Sequence, residues 1–338
     1  MITGIANKYK DEYQADWQKS LARAIRDPLL LLRMLDLDEE KYKSQLNLRD
    51  QFKLLVPLSY VKKMKKGDWN DPLLRQVLPI KDEQRHVAGF VSDPVGDLNA
   101  EIFLGVLQKY QGRVLIITTG ACAVHCRYCF RQHFPYGDSL VSQKNWQNTV
   151  DNIRADKTIH EVILSGGDPL MLSDERLQGM CEALAEIPHL KTIRFHTRIP
   201  LFLPERIDSV FLSWASALPV NRVMVIHSNH ANELDENVGQ CLEALHIAGF
   251  TLLNQSVLLK GVNDNDVALT ELSYRLFDFK VLPYYLHQLD RVQGTAHFEV
   301  KRDSAITLLE TLKAQLPGYL VPRFVEEISG KRSKQAIV

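Results

Sequence analysis

The chain has 338 residues, of which 45% are hydrophobic and 24% charged, and its 41 basic side chains balance its 41 acidic ones. This composition is typical of a globular protein, and a net charge of zero disfavours sequence-independent binding to nucleic acid. The sequence shows no apolar secretory signal, and no apolar stretch approaches the ~18 residues of a membrane span. We therefore expect a cytoplasmic protein whose five cysteines are not paired in disulfides.

Residues 1–107 show mainly helical patterns. Apolar residues recur at helical spacing from Asp16 to Leu35, and Asp71 followed by Pro72 is a typical helix start. We find no pattern of paired strands and no cluster of catalytic residue types here. The sequence predicts an N-terminal helical region over residues 1–107.

Strand-like and helix-like runs alternate from Arg113 onward, at the spacing of βα units. Such alternation predicts an α/β fold with a parallel sheet, and right-handed crossovers would curl six units into a partial (β/α)6 barrel. We assign residues 108–322 to this barrel and residues 323–338 to a C-terminal tail. The predicted strands are 114–118, 161–164, 192–196, 222–226, 252–258 and 281–286. The predicted helices are 144–153, 175–187, 205–217, 237–248, 267–277 and 304–316.

Residue types suited to catalysis follow several predicted strands. In parallel βα architectures the carboxyl ends of the strands form the active-site face. We therefore expect the active site where these segments meet. They are residues 122–129 after the first strand, 165–168 after the second, 227–233 after the fourth and Asp290 after the sixth.

Three cysteines, Cys122, Cys126 and Cys129, lie within eight residues of one another. Three thiolates in one loop can bind three irons of a [4Fe–4S] cluster and leave the fourth iron open to a small molecule. We favour this interpretation, because three cysteines in a loop rich in Arg and His are unlike a random core pattern.

Two alternatives to the cluster remain open. Zinc would need a fourth ligand, which His125 or His133 could supply. The cysteines could also be small buried hydrophobic residues. We expect that buried state for Cys181 and Cys241, which lie in helix-like runs.

The Cys-x3-Cys-x2-Cys spacing, with Tyr128 before the last cysteine and a strand before the first, resembles the signature of the radical S-adenosylmethionine superfamily. The resemblance implies a reduced cluster that cleaves S-adenosylmethionine to a 5′-deoxyadenosyl radical, and a reductant protein of the flavodoxin or ferredoxin type. The segment Ser165-Gly166-Gly167-Asp168 is similar to the superfamily's glycine-rich motif, whose backbone contacts the methionine amino group.

Further segments resemble the lysine 2,3-aminomutase family. They are Arg113-Val-Leu-Ile-Ile, His227-Ser-Asn-His230, Asn254-Gln255-Ser-Val-Leu-Leu and Pro283-Tyr-Tyr-Leu-His-Gln-Leu-Asp290. The family implies an isomerase that also carries pyridoxal 5′-phosphate and moves the amino group of lysine from carbon 2 to carbon 3.

The resemblance also implies a lysine that binds pyridoxal phosphate near the C-terminus. Spacing favours Lys334, and Lys331, directly after Gly330, is the rival. Without the resemblance, this segment would be interpreted as a solvated basic tail.

Several more residues match positions with known roles in the family. Arg113 and Gln255 match contacts of pyridoxal phosphate, and His230 matches a contact of the adenosyl group or the substrate. Arg131 matches the arginine that binds the substrate carboxylate, and Asp290 and Glu327 match the acidic residues that hold the distant ammonium group.

The chain ends four residues after Lys334 and has Glu327 where the catabolic enzymes have Asp. It therefore resembles a short branch of the family that supplies (R)-β-lysine for modification of elongation factor P, with a separate ligase attaching it. A catabolic lysine enzyme, or an aminomutase for another amino acid, is the alternative. Asp290 and Glu327 argue against glutamate, because two carboxylates would repel an anionic side chain. A radical enzyme without pyridoxal phosphate and a zinc-binding protein-interaction module also remain open.

Overall fold

A computed structural model describes residues 17–47, 52–137, 140–141 and 145–337 of the chain. Its centre is one ten-stranded sheet in which the spatial order of strands follows the chain from β1 to β10. Strands β3 to β9 are parallel to one another, whereas β1 and β2 at one edge and β10 at the other pair antiparallel. The strands are β1 Glu101–Phe103, β2 Val106–Leu107, β3 Arg113–Thr119, β4 Glu161–Gly166, β5 Thr192–Thr197, β6 Asn221–Ile226, β7 Phe250–Val257, β8 Leu282–His287, β9 Arg323–Glu326 and β10 Gln335–Ala336.

Short helices lie in the described part of the N-terminal region, and further helices lie in the crossovers between the parallel strands. Six βα units run from β3 to β9, so the fold is an α/β partial (β/α)6 barrel whose sheet does not close. The α-helices are α1 Trp17–Ala22, α2 Pro28–Met34, α3 Glu39–Lys43, α4 Leu58–Val61, α5 Pro72–Arg75, α6 Trp146–Ala155, α7 Asp174–Ala185, α8 Ile199–Phe202, α9 Ser209–Ser216, α10 Glu236–Ile247, α11 Asp266–Asp278 and α12 Arg302–Gln315.

The six predicted parallel strands are confirmed as β3 to β8, with ends within two residues of the prediction. The predicted start of α5 is confirmed as well. The Asp71 carboxylate accepts hydrogen bonds from the N–H groups of Leu73 and Leu74 at 2.9 and 2.8 Å, as a helix N-cap does.

The sheet is larger than the sequence predicts. The prediction that residues 1–107 hold no paired strands is wrong, because β1 and β2 pair there and β2 continues onto β3. All three residues of β1 are exposed, so it lacks the apolar alternation by which a strand is recognised. Strand β9 is only four residues long and lies within the predicted tail. The predicted boundaries of the barrel, after residue 107 and after residue 322, remain predictions, and the sheet extends across both of them.

Two predicted helical segments are divided by helix-capping residues. The helical pattern from Asp16 to Leu35 contains two helices, because Asp27 caps a new helix that begins at Pro28. Asp16 itself lies outside the described residues. The predicted helix 205–217 begins only at Ser209, where the Asp208 side chain caps α9. Residue 144 of another predicted helix also lies outside the described residues.

One hydrophobic core joins the N-terminal helices to the barrel. It contains Leu31 and Leu73 of the N-terminal region together with Ile116 of β3. Cys181 and Cys241 are buried in the same core, as predicted. In the described segments, we find no helix with the length and apolar character needed to cross a membrane.

Candidate active site

The three cysteines of the motif lie in the loop after β3 and line one large cavity. Cys122, Cys126 and Cys129 are each half-buried in its wall. The cavity has a volume of about 670 Å³ and is bordered by residues of the strands and loops from β3 round to β9. Three thiols that face one shared cavity are the arrangement required for a cluster with one open iron.

The N-terminal region holds this cysteine loop through Arg127. The Arg127 backbone N–H donates to the carbonyl of Gln76 at 2.8 Å. Its guanidinium forms a buried ion pair with Glu83, in which Nε donates to Oε1 at 2.8 Å. The N-terminal region therefore contributes directly to the shape of the cluster site.

The two histidines that could complete a zinc site bind main-chain carbonyls instead. Nδ1 of His125 lies 2.7 Å from the carbonyl oxygen of Lys53, and Nε2 of His133 lies 3.1 Å from that of Gln293. Among the described residues, no three His, Cys, Asp or Glu side chains converge closely enough to surround a single metal ion. A four-iron cluster does not need such convergence, because each thiolate binds a different iron. The geometry therefore fits the cluster better than zinc.

Arg198, directly after β5, places a buried positive charge beside the cysteines. Its Nη1 donates to Sγ of Cys126 at 2.8 Å, and its Nη2 donates to Oε2 of Glu233 at 2.6 Å. Glu233 is fully buried, and Nε2 of Gln76 donates to its other oxygen at 3.1 Å. The sequence analysis missed Arg198, although a charged residue at the end of a predicted strand was an available signal.

The glycine-rich turn after β4 packs against the cysteine loop. A Cβ on Gly166 would lie 2.5 Å from the carbonyl oxygen of Thr119, and one on Gly167 would lie 2.3 Å from that of Ala121. Only glycine allows this approach, and Gly166 also has a φ of +116°. Ser165, Gly166 and Gly167 all line the cavity, so their backbone is available to a ligand bound beside the cysteines.

Asp168, the last residue of the motif, mainly joins the ends of β4 and β5. Its buried carboxylate accepts hydrogen bonds from the Thr197 hydroxyl at 2.7 Å and from the Arg198 backbone N–H at 2.8 Å. Burial raises the pKa of Asp168 to about 6, although these hydrogen bonds oppose the rise. This carboxylate orients the start of the Arg198 segment.

The structure separates the two candidate pyridoxal lysines. Lys334 lines the cavity, and its Nζ lies 2.6 Å from Oε2 of Glu327 and 5.9 Å from the ring centroid of Tyr285. Lys331 is exposed and is not among the residues lining the cavity. The geometry therefore favours Lys334.

The proposed substrate-binding residues also face the cavity. Arg131, Asp290 and Glu327 all line it. Burial and the neighbouring charge of Glu327 raise the pKa of Asp290 to about 7. Burial acts in the same direction on Glu327, but its ion pairs with Lys334 and Lys109 lower its pKa to about 2. The two carboxylates therefore differ in charge near neutral pH.

Two more charged residues, Asp97 and Lys109, contact the proposed substrate-binding residues. The sequence analysis did not identify them. Asp97 accepts a hydrogen bond from Nε of Arg131 at 2.6 Å. Lys109 lies between Asp97 and Glu327, with its Nζ 2.5 Å from Asp97 Oδ1 and 2.7 Å from Glu327 Oε1. Sequence alone gave no signal for them, because their partners are far away along the chain.

A second basic group lies on the strands that border the cavity and fits a phosphate. Arg194 and Arg113 share the carboxylate of Glu161, at 2.6 and 3.9 Å, and each lines the cavity. Arg323 and Gln255 line it as well. Guanidinium and amide N–H groups are suitable donors to phosphate oxygens, so this group fits the phosphate of pyridoxal phosphate.

His230 does not line the cavity. Its Nδ1 accepts a hydrogen bond from the backbone N–H of Asn232 at 3.1 Å, so its observed role is local. The cavity is instead lined by three other histidines, each with a buried Nε2 that has no hydrogen-bond partner among the described residues. Unpartnered polar atoms in a cavity are typical of a site that binds a polar ligand. These histidines are His196, His227 and His287.

Comparison with known proteins gives consistent results. The family model described as the radical SAM superfamily matches residues 116–272. The L-lysine 2,3-aminomutase of Escherichia coli is 44% identical over 94% of this chain and 93% of its own length. That of Haemophilus influenzae is 43% identical over 95% of both chains, and that of Clostridium subterminale is 31% identical over 100% of this chain and 82% of its own.

Among solved structures, a radical SAM methyltransferase from Sphaerobacter thermophilus has a TM-score of 0.44 and 16% identity, over 65% of this chain and 68% of that chain. The aminomutases are far more similar in sequence. On the strength of those aminomutases, the chain belongs to the family of L-lysine 2,3-aminomutases, radical S-adenosylmethionine enzymes that carry a [4Fe–4S] cluster and pyridoxal phosphate.

Proposed function

We propose that this chain is an L-lysine 2,3-aminomutase that converts L-lysine to (R)-β-lysine. The observation that carries the proposal is that one cavity of about 670 Å³ contains the cysteine loop, Lys334 and charged residues suited to both ends of a lysine molecule. The cavity is large enough for two organic cofactors' reactive ends and a small substrate.

The cofactor-binding roles follow from position. Cys122, Cys126 and Cys129 hold the cluster, and the backbone of Gly166 and Gly167, which line the same cavity, would hold the methionine part of S-adenosylmethionine. When bound, these two groups supply a carbon-centred radical that removes a hydrogen atom from the substrate.

Lys334 anchors pyridoxal phosphate covalently, and Arg113 and Gln255 bind its phosphate together with Arg194. When bound, this cofactor carries the migrating amino group. Burial lowers the pKa of the rings of His196, His227 and His287, so these histidines line the cavity as neutral polar groups.

The substrate roles follow from charge. Arg131 binds the α-carboxylate, and Asp290 and Glu327 bind the distant ammonium group. A glutamate side chain would meet two carboxylates there, and like charges repel most strongly in a partly desolvated site. Lysine therefore fits this end of the cavity better than an acidic amino acid.

The test is anaerobic reconstitution with iron, sulfide and pyridoxal phosphate, followed by incubation with dithionite, S-adenosylmethionine and L-lysine. We expect a brown protein with a pyridoxal absorption band, and chiral analysis should detect (R)-β-lysine. Lys334→Ala should form no product, whereas Lys331→Ala is the matched control and should form it. A wild-type protein that contains the cluster and pyridoxal but forms no β-lysine would refute the proposal.

We further propose that the product is passed to a ligase that attaches it to elongation factor P in the cytoplasm. This step depends on the resemblance to the short branch, carried by Glu327 and the Cys-Ala-Val-His-Cys spacing. A flavodoxin- or ferredoxin-type protein would supply the electron to the cluster. Deleting the gene should leave elongation factor P without its β-lysyl group, as measured by mass spectrometry, and added (R)-β-lysine should restore it.

A further inference from the structure

Lys109 links residues that belong to opposite ends of the proposed substrate site. Its Nζ lies 2.5 Å from Asp97 and 2.7 Å from Glu327, and it also donates to the carbonyl oxygen of Val95 at 2.9 Å. All three donors of the ammonium group are therefore used within the protein. Lys109 is held in place and is not free to bind a substrate carboxylate itself.

The Asp97 contact extends this link to the carboxylate-binding end. Asp97 is 2% exposed, and its second oxygen accepts the hydrogen bond from Nε of Arg131 at 2.6 Å. Nη1 of the same guanidinium donates to the hydroxyl of Ser165 at 3.2 Å. These two contacts fix the plane of the guanidinium, and so they decide where its remaining N–H groups can meet a carboxylate.

The Glu327 contact extends the link to the ammonium-binding end. One carboxylate oxygen of Glu327 binds Lys109, and the other lies 2.6 Å from Nζ of Lys334. Covalent attachment of pyridoxal to Lys334 would take Nζ out of this ion pair. The freed oxygen of Glu327 could then accept the side-chain ammonium of an incoming lysine, in a direction that Lys109 has already set.

These contacts form a row of charged side chains whose signs alternate. The row consists of Arg131, Asp97, Lys109, Glu327 and Lys334. Burial alone would raise the pKa of Asp97, but Arg131 and Lys109 hold it below its usual value. Burial alone would lower the pKa of Lys109, but Asp97 and Glu327 hold it above its usual value. The row therefore stays ionised at neutral pH, and removing its central cation would leave two partly desolvated carboxylates without their shared partner.

We propose that Lys109 is a positioning residue that fixes both ends of the substrate site at once, the arginine end through Asp97 and the acidic end through Glu327. This inference deepens the proposed function and rests on its assignment of the lysine-binding site. The site it describes takes an α-amino acid with a cationic side chain. Lys109 sets the distance between the two ends without contacting the substrate.

The test measures binding rather than turnover. The protein is loaded with pyridoxal phosphate, and its visible absorption is titrated with L-lysine or L-alanine in the absence of S-adenosylmethionine. Alanine has the carboxylate end but no distant ammonium, so the two ligands report the two ends separately. Lys109→Met is compared with Glu327→Gln, and cofactor content and thermal unfolding are recorded for each variant.

Lys109→Met should raise the half-saturating concentration about tenfold or more for lysine and also for alanine, because both ends lose their anchor. Glu327→Gln should raise it for lysine and leave alanine unchanged. Lys109→Arg keeps the charge and should stay within about threefold of wild type for alanine. Lys63→Met is the matched control, since Lys63 is a 6% exposed lysine paired with Asp235 at 3.4 Å, outside the cavity lining.

An unchanged response to alanine in Lys109→Met would overturn the inference, because Lys109 would then act on the acidic end alone. Unchanged responses to both ligands would overturn it as well. If Lys109→Met binds no cofactor, Lys109→Gln is used for the same two titrations. A wild-type protein that binds lysine in this assay but forms no β-lysine would refute the proposed function and leave this inference standing.

Discussion

Replacing Asp290 with Asn should remove a pH dependence of lysine binding. The pKa of Asp290 is raised to about 7 by burial and by the charge of Glu327, whereas the pKa of Glu327 is about 2. Of these two carboxylates, only Asp290 therefore changes charge between pH 6 and pH 8. A substrate ammonium binds better when both carboxylates are ionised, so lysine should bind more tightly as the pH rises through this range.

The magnitude follows from the ionised fraction. A carboxyl with a pKa of about 7 is roughly 9% ionised at pH 6 and roughly 91% ionised at pH 8. The affinity of lysine relative to alanine should therefore rise about tenfold across these two units, or about 1.4 kcal/mol. Lys334 lowers the pKa of Asp290, so its attachment to pyridoxal shifts the transition upward. The titration should therefore extend to higher pH.

The assay uses the visible absorption of bound pyridoxal phosphate, titrated with lysine and with alanine at each pH. The ratio of the two affinities cancels the ionisation of the α-amino group, which both ligands share. Asp290→Asn should make this ratio independent of pH. Glu327→Gln is the matched comparison. It should weaken lysine binding at every pH and shift the dependence to lower pH, because the charge of Glu327 helps to raise the pKa of Asp290. A wild-type ratio that does not change from pH 6 to the upper end of the extended titration would refute the reasoning.

Further predictions concern stability, the cofactors and the cluster. Because the folded-state pKa of Asp290 is raised from 3.8, its contribution to stability is fully present below about pH 4 and lost as the pH rises through about 7. The gain in Tm of Asp290→Asn over wild type, without lysine, should therefore grow between these values, and a gain that is constant with pH would contradict this. Borohydride reduction followed by peptide mapping should label Lys334 and not Lys331, and label on Lys331 would reverse the assignment. Arg198→Met should lower the reduction potential of the cluster by on the order of tens of millivolts, since a cation and a hydrogen-bond donor are lost beside Cys126, whereas Arg198→Lys should lower it less. An EPR redox titration measures both variants, and equal potentials for Arg198→Met and wild type would exclude the effect. Gly167→Ala places a Cβ 2.3 Å from the carbonyl oxygen of Ala121 and should reduce cluster content, whereas Gly179→Ala, with nothing within 4 Å of its added Cβ, should not.

The barrel could be predicted because strand-like and helix-like runs alternate at regular intervals along the chain. Runs such as 114–118 are rich in β-branched residues, and helical patterns of similar length separate them. Strand β9 could not be predicted in the same way, since its four residues alternate too briefly to be distinguished from a loop. Its place in the sheet depends on the pairing with β8, which is a tertiary contact and leaves no local pattern.

The candidate site shows the same division. The cysteines and the glycine-rich turn are recognisable because their function requires close spacing along the chain. Lys109 carries no such signal, since its partners lie 12 residues before it and 218 residues after it. The assignment of His230 stays a prediction: the resemblance of sequence suggests a ligand contact, and the structure shows a local hydrogen bond.

The N-terminal region has a chemical reason to be part of this enzyme. Gln76 and Glu83 bind Arg127 of the cysteine loop, and Asp97 binds Arg131 two residues after the last cysteine. A barrel without this region would leave both arginines without their buried counter-charges, and an unpaired buried charge costs several kcal/mol, on the order of 3–5. The described part of residues 1–107 therefore holds both the cysteine loop and Arg131, the arginine proposed to bind the substrate carboxylate, through buried ion pairs.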